Sequence, residues 1–262
     1  MNEDLDMLYS LLYAFSSISL KEMKKVSLMN RTDTKYLLPA VLLPKVLELA
    51  VNEYHIQEIN GKRSVDYSTI YFDTEDYAMY RAHAIGRKVR EKIRVRTYVD
   101  SGLTFLEVKN KNNKGRTDKQ RIKVQGVSSL KEDGGDVFLR NNSWYELSQV
   151  RPLLESGFQR VTLANKNFTE RITIDCNVRF RQVITGQKAD LEGIAIVEVK
   201  RGRHSYSPMA DILHSLHVNP ASLSKYCVGI VLTGNEVRWN RFKPTLRLVS
   251  KLAGNENRYL LT

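Results

Sequence analysis

Residues 104–111 read TFLEVKNK, and residues 195–202 read AIVEVKRG. Each sets a glutamate and a lysine two positions apart inside an apolar, β-branched run: Glu107 with Lys109, and Glu198 with Lys200. In a strand, side chains at i and i+2 stand on the same side. Each pair therefore shares one face, and Leu106 with Val108, or Val197 with Val199, takes the other. The same alternation runs through neighbouring segments. Arg94 and Arg96 in KIRVRTYV oppose Ile93, Val95 and Thr97. Lys119, Arg121 and Lys123 alternate with Gln120, Ile122 and Val124, and Arg171, Thr173 and Asp175 with Ile172, Ile174 and Cys176. Such strands fit two architectures. In a two-layer sheet the charged face is simply solvated. In a sheet curled on itself the charged faces converge on a polar bore. Unpaired charges cost several kcal/mol each to bury, so such a bore has to be wet, or filled by a strongly anionic ligand with a metal ion.

Outward from these strands the chain alternates between types. Residues 4–25 carry apolar side chains at helical spacing, and Pro44 opens a further helix, KVLELAVNEY. STIYFDT reads as a strand followed by a helical DYAMYRAHA that Gly86 ends. REKIRVRTYVD, LTFLEVKNK and DKQRIKV follow as three strands on short turns, and residues 126–136 read as a loop. Residues 144–156 fit a helix interrupted at Pro152; FQRVTLAN, ERITIDCNVRF and GIAIVEVKR return to strand. Residues 208–217 and 226–232 read as helices. The expectation is an α+β fold built on an antiparallel sheet, with a helical extension over 1–26, one main domain over 27–234 and a basic tail over 235–262.

Lys and Arg outnumber Asp and Glu by 41 to 29 in 262 residues, which calls for an anionic partner. Two cysteines, Cys176 and Cys227, make no disulfide framework. Glu3, Asp4 and Asp6 give the first residues the wrong charge for a signal peptide. No run of about 18 apolar residues exists to span a membrane. These features predict a cytoplasmic protein.

Seven segments in order, TKYLLP, IYFDTEDYAMY, KIRVRTY, FLEVKNK, ERITID, VEVKRG and SLSKYCVG, resemble the VTC domain, the polyphosphate polymerase branch of the triphosphate tunnel metalloenzymes of the CYTH-like superfamily. The resemblance spans residues 27–232. It implies an antiparallel β-barrel tunnel, flanked by helices, whose basic interior binds a triphosphate or polyphosphate and whose carboxylates hold Mn²⁺ or Mg²⁺. Carried onto this chain, it makes Arg94, Arg96, Lys109 and Lys119 the catalytic cations. Lys35, Arg121, Arg171, Lys200 and Lys225 become phosphate ligands, and Glu198, with Glu107, the metal ligands. These residue types suit such roles, because arginine forks grip phosphate oxygens in pairs, lysines supply point charge, and carboxylates bind hard cations. The implied activity is ATP-dependent polyphosphate synthesis. Hydrolysis of the same triphosphate and non-catalytic polyanion binding are the alternatives.

The chain departs from that pattern in places. LANKNF puts Leu163 and Asn165 where the polymerases carry a tyrosine and an arginine, with Lys166 beside them; His83 stands near an expected arginine, and Ser222 near an expected lysine. The stretch before residue 27 leaves no room for an inositol phosphate sensor, though its helices are available to a membrane-protein partner. Other features have plainer readings. Asp211, His214 and His217 read as one helix face, since no further Cys or His stands nearby to complete a metal site. Cys176 and Cys227 read as core packing, and Asp73 as a helix cap. The basic NKNNKGR loop at 110–116 resembles a nucleic-acid contact but lacks interleaved aromatics, so nucleic acid is the less expected partner.

Overall fold

The computed structural model describes residues 10–26, 31–113, 117–203, 205–234 and 237–254. A helical turn at 10–14 leads into β1 (Ser16–Ile18), α1 (Leu20–Met23) and β2 (Arg31–Pro39). Next come α2 (Leu43–Ala50), β3 (Tyr54–Gln57), β4 (Ser64–Asp73), α3 (Ala78–Ala84), β5 (Arg90–Tyr98), β6 (Leu103–Lys111) and β7 (Thr117–Val124). The chain continues through α4 (Gly135–Asn142), β8 (Arg151–Asn165), β9 (Glu170–Gln182), β10 (Lys188–Asp190), β11 (Ile194–Gly202), α5 (Pro208–Ser215), α6 (Lys225–Leu232) and α7 (Lys243–Leu252).

The strands join in the order β2-β11-β9-β8-β4-β5-β6-β7, every pair on this path antiparallel. The expected α+β tunnel is present as a curled sheet. Its outermost strands, β2 and β7, do not pair with each other among the described residues, so curvature rather than a closed hydrogen-bond ladder makes the tunnel. The N-terminal segment contributes a strand as well as helical turns, because β1 pairs in parallel with β3.

Alternation sets the layers. The convex side of β2, β11, β9 and β8 packs Leu38, Val197, Ile172 and Leu163 against Val46 and Leu47 of α2 and Met209 and Leu213 of α5. The convex side of β5, β6 and β7 packs Ile93, Val95, Leu106 and Val108 against Phe138 and Leu139 of α4. At one end the concave side is also apolar: Leu37, Tyr71, Leu154, Phe180 and Ile196 pack against Tyr226, Val228 and Ile230 of α6 and Phe242, Leu246 and Val249 of α7. The C-terminal segment expected as a basic tail thus holds a helix with one buried side. Gly229 permits the close approach of α6, since a Cβ there would lie 2.5 Å from Leu154 Cδ2 and 2.7 Å from Phe180 Cδ1.

Two segments differ from expectation. Residues 144–156 are not a helix: after a turn at 147–149, β8 starts at Arg151. Pro152 sits where the β4–β8 register shifts, one of the few sheet positions that tolerates proline. Residues 126–134 form an organised turn, in which Asp133 accepts from the Gln125 N–H (2.6 Å) and the Ser129 hydroxyl (2.7 Å) before α4 begins.

Candidate functional site: a cationic cavity on the concave face

The pairing register carries charged residues across the concave face in rows. Lys35 of β2 lies opposite Glu198 of β11, which lies opposite Thr173 of β9 and, beyond it, Thr162 of β8. Asp33, Lys200 and Arg171 form the adjacent row. On the other half of the sheet, Tyr71, Arg94, Glu107 and Arg121 stand in line, with Lys92, Lys109 and Lys119 next to them. The curl brings both halves onto one cavity of about 630 Å³, lined by Asp33, Lys35, Lys92, Lys109, Glu198 and Ser222 among others. The segment entering α6 forms part of its wall. Lys35 Nζ donates to the Leu223 carbonyl (2.8 Å), Lys92 Nζ to Ser224 Oγ (3.0 Å), and Lys225 to Asp175.

Four carboxylates on this face have cation partners, Asp33 through Arg31 (2.9 Å) and Lys200 (3.9 Å). Arg94 donates to Glu107 Oε2 through Nε (2.8 Å) and Nη2 (2.6 Å), and Lys119 ion-pairs with Oε1. Burial would raise the Glu107 pKa, but Arg94, Arg96 and Lys119 outweigh it and hold the carboxyl at about 2. Asp175 receives Arg160 on both oxygens (2.5 and 2.7 Å) together with Lys225, and is held well below the carboxylate range despite its burial. Glu198 pairs with Lys200 and, with Lys35 nearby, is held at about 2 against the opposite pull of burial.

Cations outnumber these acids. Among the described residues, Lys35, Lys92, Arg96 and Lys109 have no ion-pair partner. Arg96 reaches Thr69 Oγ1 (3.2 Å) and lies over the Tyr67 and Phe158 rings at 5.4 and 5.8 Å. Burial and its neighbours Arg94 and Arg160 bring its pKa down to about 10. Lys109 is pushed well below its ordinary value by Arg94, then burial, then Arg96. Tyr71 registers the same field. Burial alone would raise its phenol pKa, yet Arg94, Arg96, Lys225 and Lys92 outweigh burial and lower it. A buried phenol inclined to ionise marks a strongly positive, under-neutralised site.

The sequence-derived residues gather here with differences of position. Lys35, Lys109 and Glu198 line the cavity, and Arg94, Arg96, Lys119, Arg171, Lys200 and Lys225 continue its polar rows. Arg121 lies on the outermost strand, over the Phe105 ring at 4.4 Å. Glu107, expected as a metal ligand, has both oxygens engaged by Arg94 and Lys119 and braces those cations. Leu163 is buried in the convex core, and Asn165 closes the β8 end by accepting from the Thr169 and Glu170 N–H groups at 2.8 Å each. Neither faces the tunnel, so neither vacates a tunnel position; Lys166 is exposed beyond the strand. The arginine this strand contributes is Arg160, with Phe158 beside it. His83, on α3, is held neutral at about 3 by burial and by Lys92, Arg90 and Lys35.

Lys92, Arg160 and Asp33 belong to the site, and sequence reasoning misses them; Asp175, on a charged face by its alternation, joins them. Lys92 is within reach of the alternation through Arg94 and Arg96, and Arg160 within reach of that through Thr162. Asp211, His214 and His217 are exposed on and just after α5, away from the cavity. Burial raises both thiols, Cys176 to about 12. Asp73 caps α3, as its sequence position predicts, accepting at 2.8 Å from the Met79 and Tyr80 N–H groups. The nucleic-acid-like loop at 110–116 falls partly outside the described residues, at 114–116.

The carboxylates that line this cavity are the side chains that could hold a divalent cation. Glu198 and Asp33 both line the cavity, and Lys200 joins them, pairing with Glu198 and lying 3.9 Å from Asp33. No cluster of three or more His, Cys, Asp or Glu side chains suited to a metal is present among the described residues. Magnesium-like ions are often held by one or two carboxylates plus substrate phosphates, and this donor set suits an ion that arrives with a polyphosphate.

The sequence profile of the VTC domain family matches residues 30–233. No curated protein matches the chain. Among solved structures, one similar to it is HpAC1 from Hippeastrum, proposed as an adenylyl cyclase and described as having a dominant triphosphatase activity. It is 12% identical, with a TM-score of 0.50 over 79% of this chain and 98% of that one. The protein PH1819 of Pyrococcus horikoshii OT3 is 13% identical over 71% of this chain and 86% of its own, with a TM-score of 0.38. A conserved hypothetical protein of Pyrococcus furiosus is 12% identical over 75% and 99%, with a TM-score of 0.40. By its profile match over most of its length, the chain belongs to the VTC domain family.

Proposed function

We propose that this protein is a polyphosphate polymerase-type phosphotransferase that takes the terminal phosphoryl group of ATP. The observation carrying this reading is the excess of cations: Lys35, Lys92 and Lys109 line a cavity without carboxylate ion-pair partners, with buried Arg96 in the adjoining polar rows, beside a phenol whose ionised form the neighbouring cations favour. A triphosphate supplies the missing negative charge. Arg94 and Arg96, held by Glu107 and Thr69, stabilise charge on the transferred phosphoryl group. Lys35, Lys92 and Lys109 fix the remaining phosphates, and Lys225 adds charge from the α6 side. Glu198 and Asp33 are the side chains that would hold Mn²⁺ or Mg²⁺, and the ion would neutralise phosphate oxygens when bound. A terminal oxygen of the growing chain forms the new P–O bond to the γ-phosphorus as the bond to the β-phosphate oxygen breaks and ADP leaves with the electron pair. The protein's contribution is position and charge.

Water in place of the acceptor chain gives hydrolysis, the activity described for HpAC1. One experiment separates the two: incubate the purified protein with ATP and Mn²⁺ or Mg²⁺, and resolve ADP, orthophosphate and long-chain polyphosphate. Polymer matched by ADP is expected. Lys109→Ala should lose about a hundredfold or more in kcat/KM, the scale of one lost preorganised donor. Glu198→Gln should lose turnover while staying folded. ADP with orthophosphate and no polymer would make the protein a triphosphatase; tripolyphosphate binding without turnover would make it a polyanion-binding module.

A further inference from the structure

A second cavity, of about 430 Å³, adjoins the first, and Lys111 and Thr117 line both. Its distinctive wall is Trp144, with Val89, Asn110 and Asn112 around it. The indole is 54% exposed although its backbone is tightly held. Buried Glu91, on the convex side of β5, accepts from the Ser143 hydroxyl (2.5 Å) and the Trp144 N–H (3.3 Å). Ser143 Oγ accepts from the Tyr145 N–H (3.0 Å), and Asn110 Nδ2 donates to the Asn142 carbonyl (2.9 Å). The loop before β8 is thereby tied to β5 and β6, and it sets the exposed Trp144 in the wall of this cavity.

An inorganic polyanion has no use for such a face. A ligand with a polyanionic arm and a flat aromatic end uses both cavities at once. Resting on the triphosphate reading of the larger cavity, we infer that Trp144 is the stacking platform for the nucleobase of the bound nucleoside triphosphate. The base sits against the indole, the ribose passes Lys111 and Thr117, and the phosphates run inward to Lys92 and Lys109. Stacking selects a nucleotide over inorganic tripolyphosphate and tolerates different bases, since every base offers a π face.

The test compares affinities for a non-hydrolysable ATP analogue and for tripolyphosphate, each with Mg²⁺, in wild type, Trp144→Ala and Trp144→Phe. Trp144→Ala is expected to weaken the ATP analogue about tenfold, the loss of one base–aromatic stack, and to leave tripolyphosphate unchanged. Trp144→Phe should restore most of the difference. The chain has two tryptophans, Trp144 and Trp239, so fluorescence quenching by the ATP analogue in the wild type should vanish in Trp144→Phe. Equal weakening of both ligands in Trp144→Ala, or of neither, overturns the platform and leaves the triphosphate cavity standing. A wild type that binds neither ligand overturns both.

Discussion

Glu107 and Lys109 stand two residues apart on one strand and meet opposite conditions. Glu107 has cations on both oxygens and stays ionised though buried; Lys109 has cations beside it that outweigh the pull of Glu107 and no ion pair of its own, and its proton is held loosely. A bound phosphate reverses the second condition. Lys109 should therefore take up a proton when a triphosphate binds, at any pH between its lowered pKa and its ordinary one, once the triphosphate itself is fully ionised. Affinity should fall as pH rises through that window. Calorimetric titration in buffers of different ionisation heat measures this directly, and absence of net proton uptake would refute it. In the empty protein the same depressed pKa means that the unfolded chain binds more protons, so Lys109 makes stability rise with pH across the window. Glu107 works at the acid end. Its contribution is complete above the ordinary glutamate pKa and is lost as pH falls towards about 2, on the order of 3 kcal/mol in all. Glu107→Gln should flatten that acid limb and loosen Arg94, seen as a smaller loss of stability between pH 5 and 2 by denaturant titration.

At the scale of elements, α6 decides whether the cavity has a wall. Asp73, fully buried at the end of β4, accepts from the Thr74, Met79 and Tyr80 N–H groups at 2.8 Å each and from the Tyr226 hydroxyl at 2.5 Å. One carboxylate thus joins β4, α3 and α6. Tyr226→Phe removes a charged hydrogen bond and should cost about 1.5 to 3 kcal/mol, read as a lower Tm. Gly229→Ala should cost more, because its new methyl meets Leu154 and Phe180 with no space to yield; it should weaken triphosphate binding too by displacing Ser224 and Lys225. Little of this junction is legible in the sequence. Asp73 can be read as a cap from its place before a helix, but its bond to a tyrosine 153 residues away cannot. The strands are legible because their side-chain alternation is a local property: residues 103–111 fall where the LTFLEVKNK pattern puts them. Residues 144–156 mislead because Leu147, Val150 and Leu154 match a helical stripe, and only pairing with β4 turns Pro152 from a helix break into a bulge residue. Likeness of motif points to Asn165 for the tunnel arginine of β8 instead of Arg160, since it fixes order along the chain and not which face a residue takes.

Over the whole molecule, the surplus of 12 basic residues is partly folded inward. The empty protein therefore carries like charges at close range that a polyanion relieves. Tripolyphosphate should raise Tm by mass action, worth about 2.7 kcal/mol at a hundredfold excess over Kd. That stabilisation should shrink steeply with added salt. Equal stabilisation at low and high salt would point to binding by contacts other than charge. The open seam between β2 and β7 has a consequence of another kind. β7 is an edge strand, largely exposed, and an edge with free backbone donors and acceptors invites pairing with a neighbouring molecule. Lys119, Arg121 and Lys123 alternate along it. These charges on an exposed edge also keep two copies of this sheet from joining edge to edge, and truncating all three together should make the protein aggregate, read as a rise in light scattering.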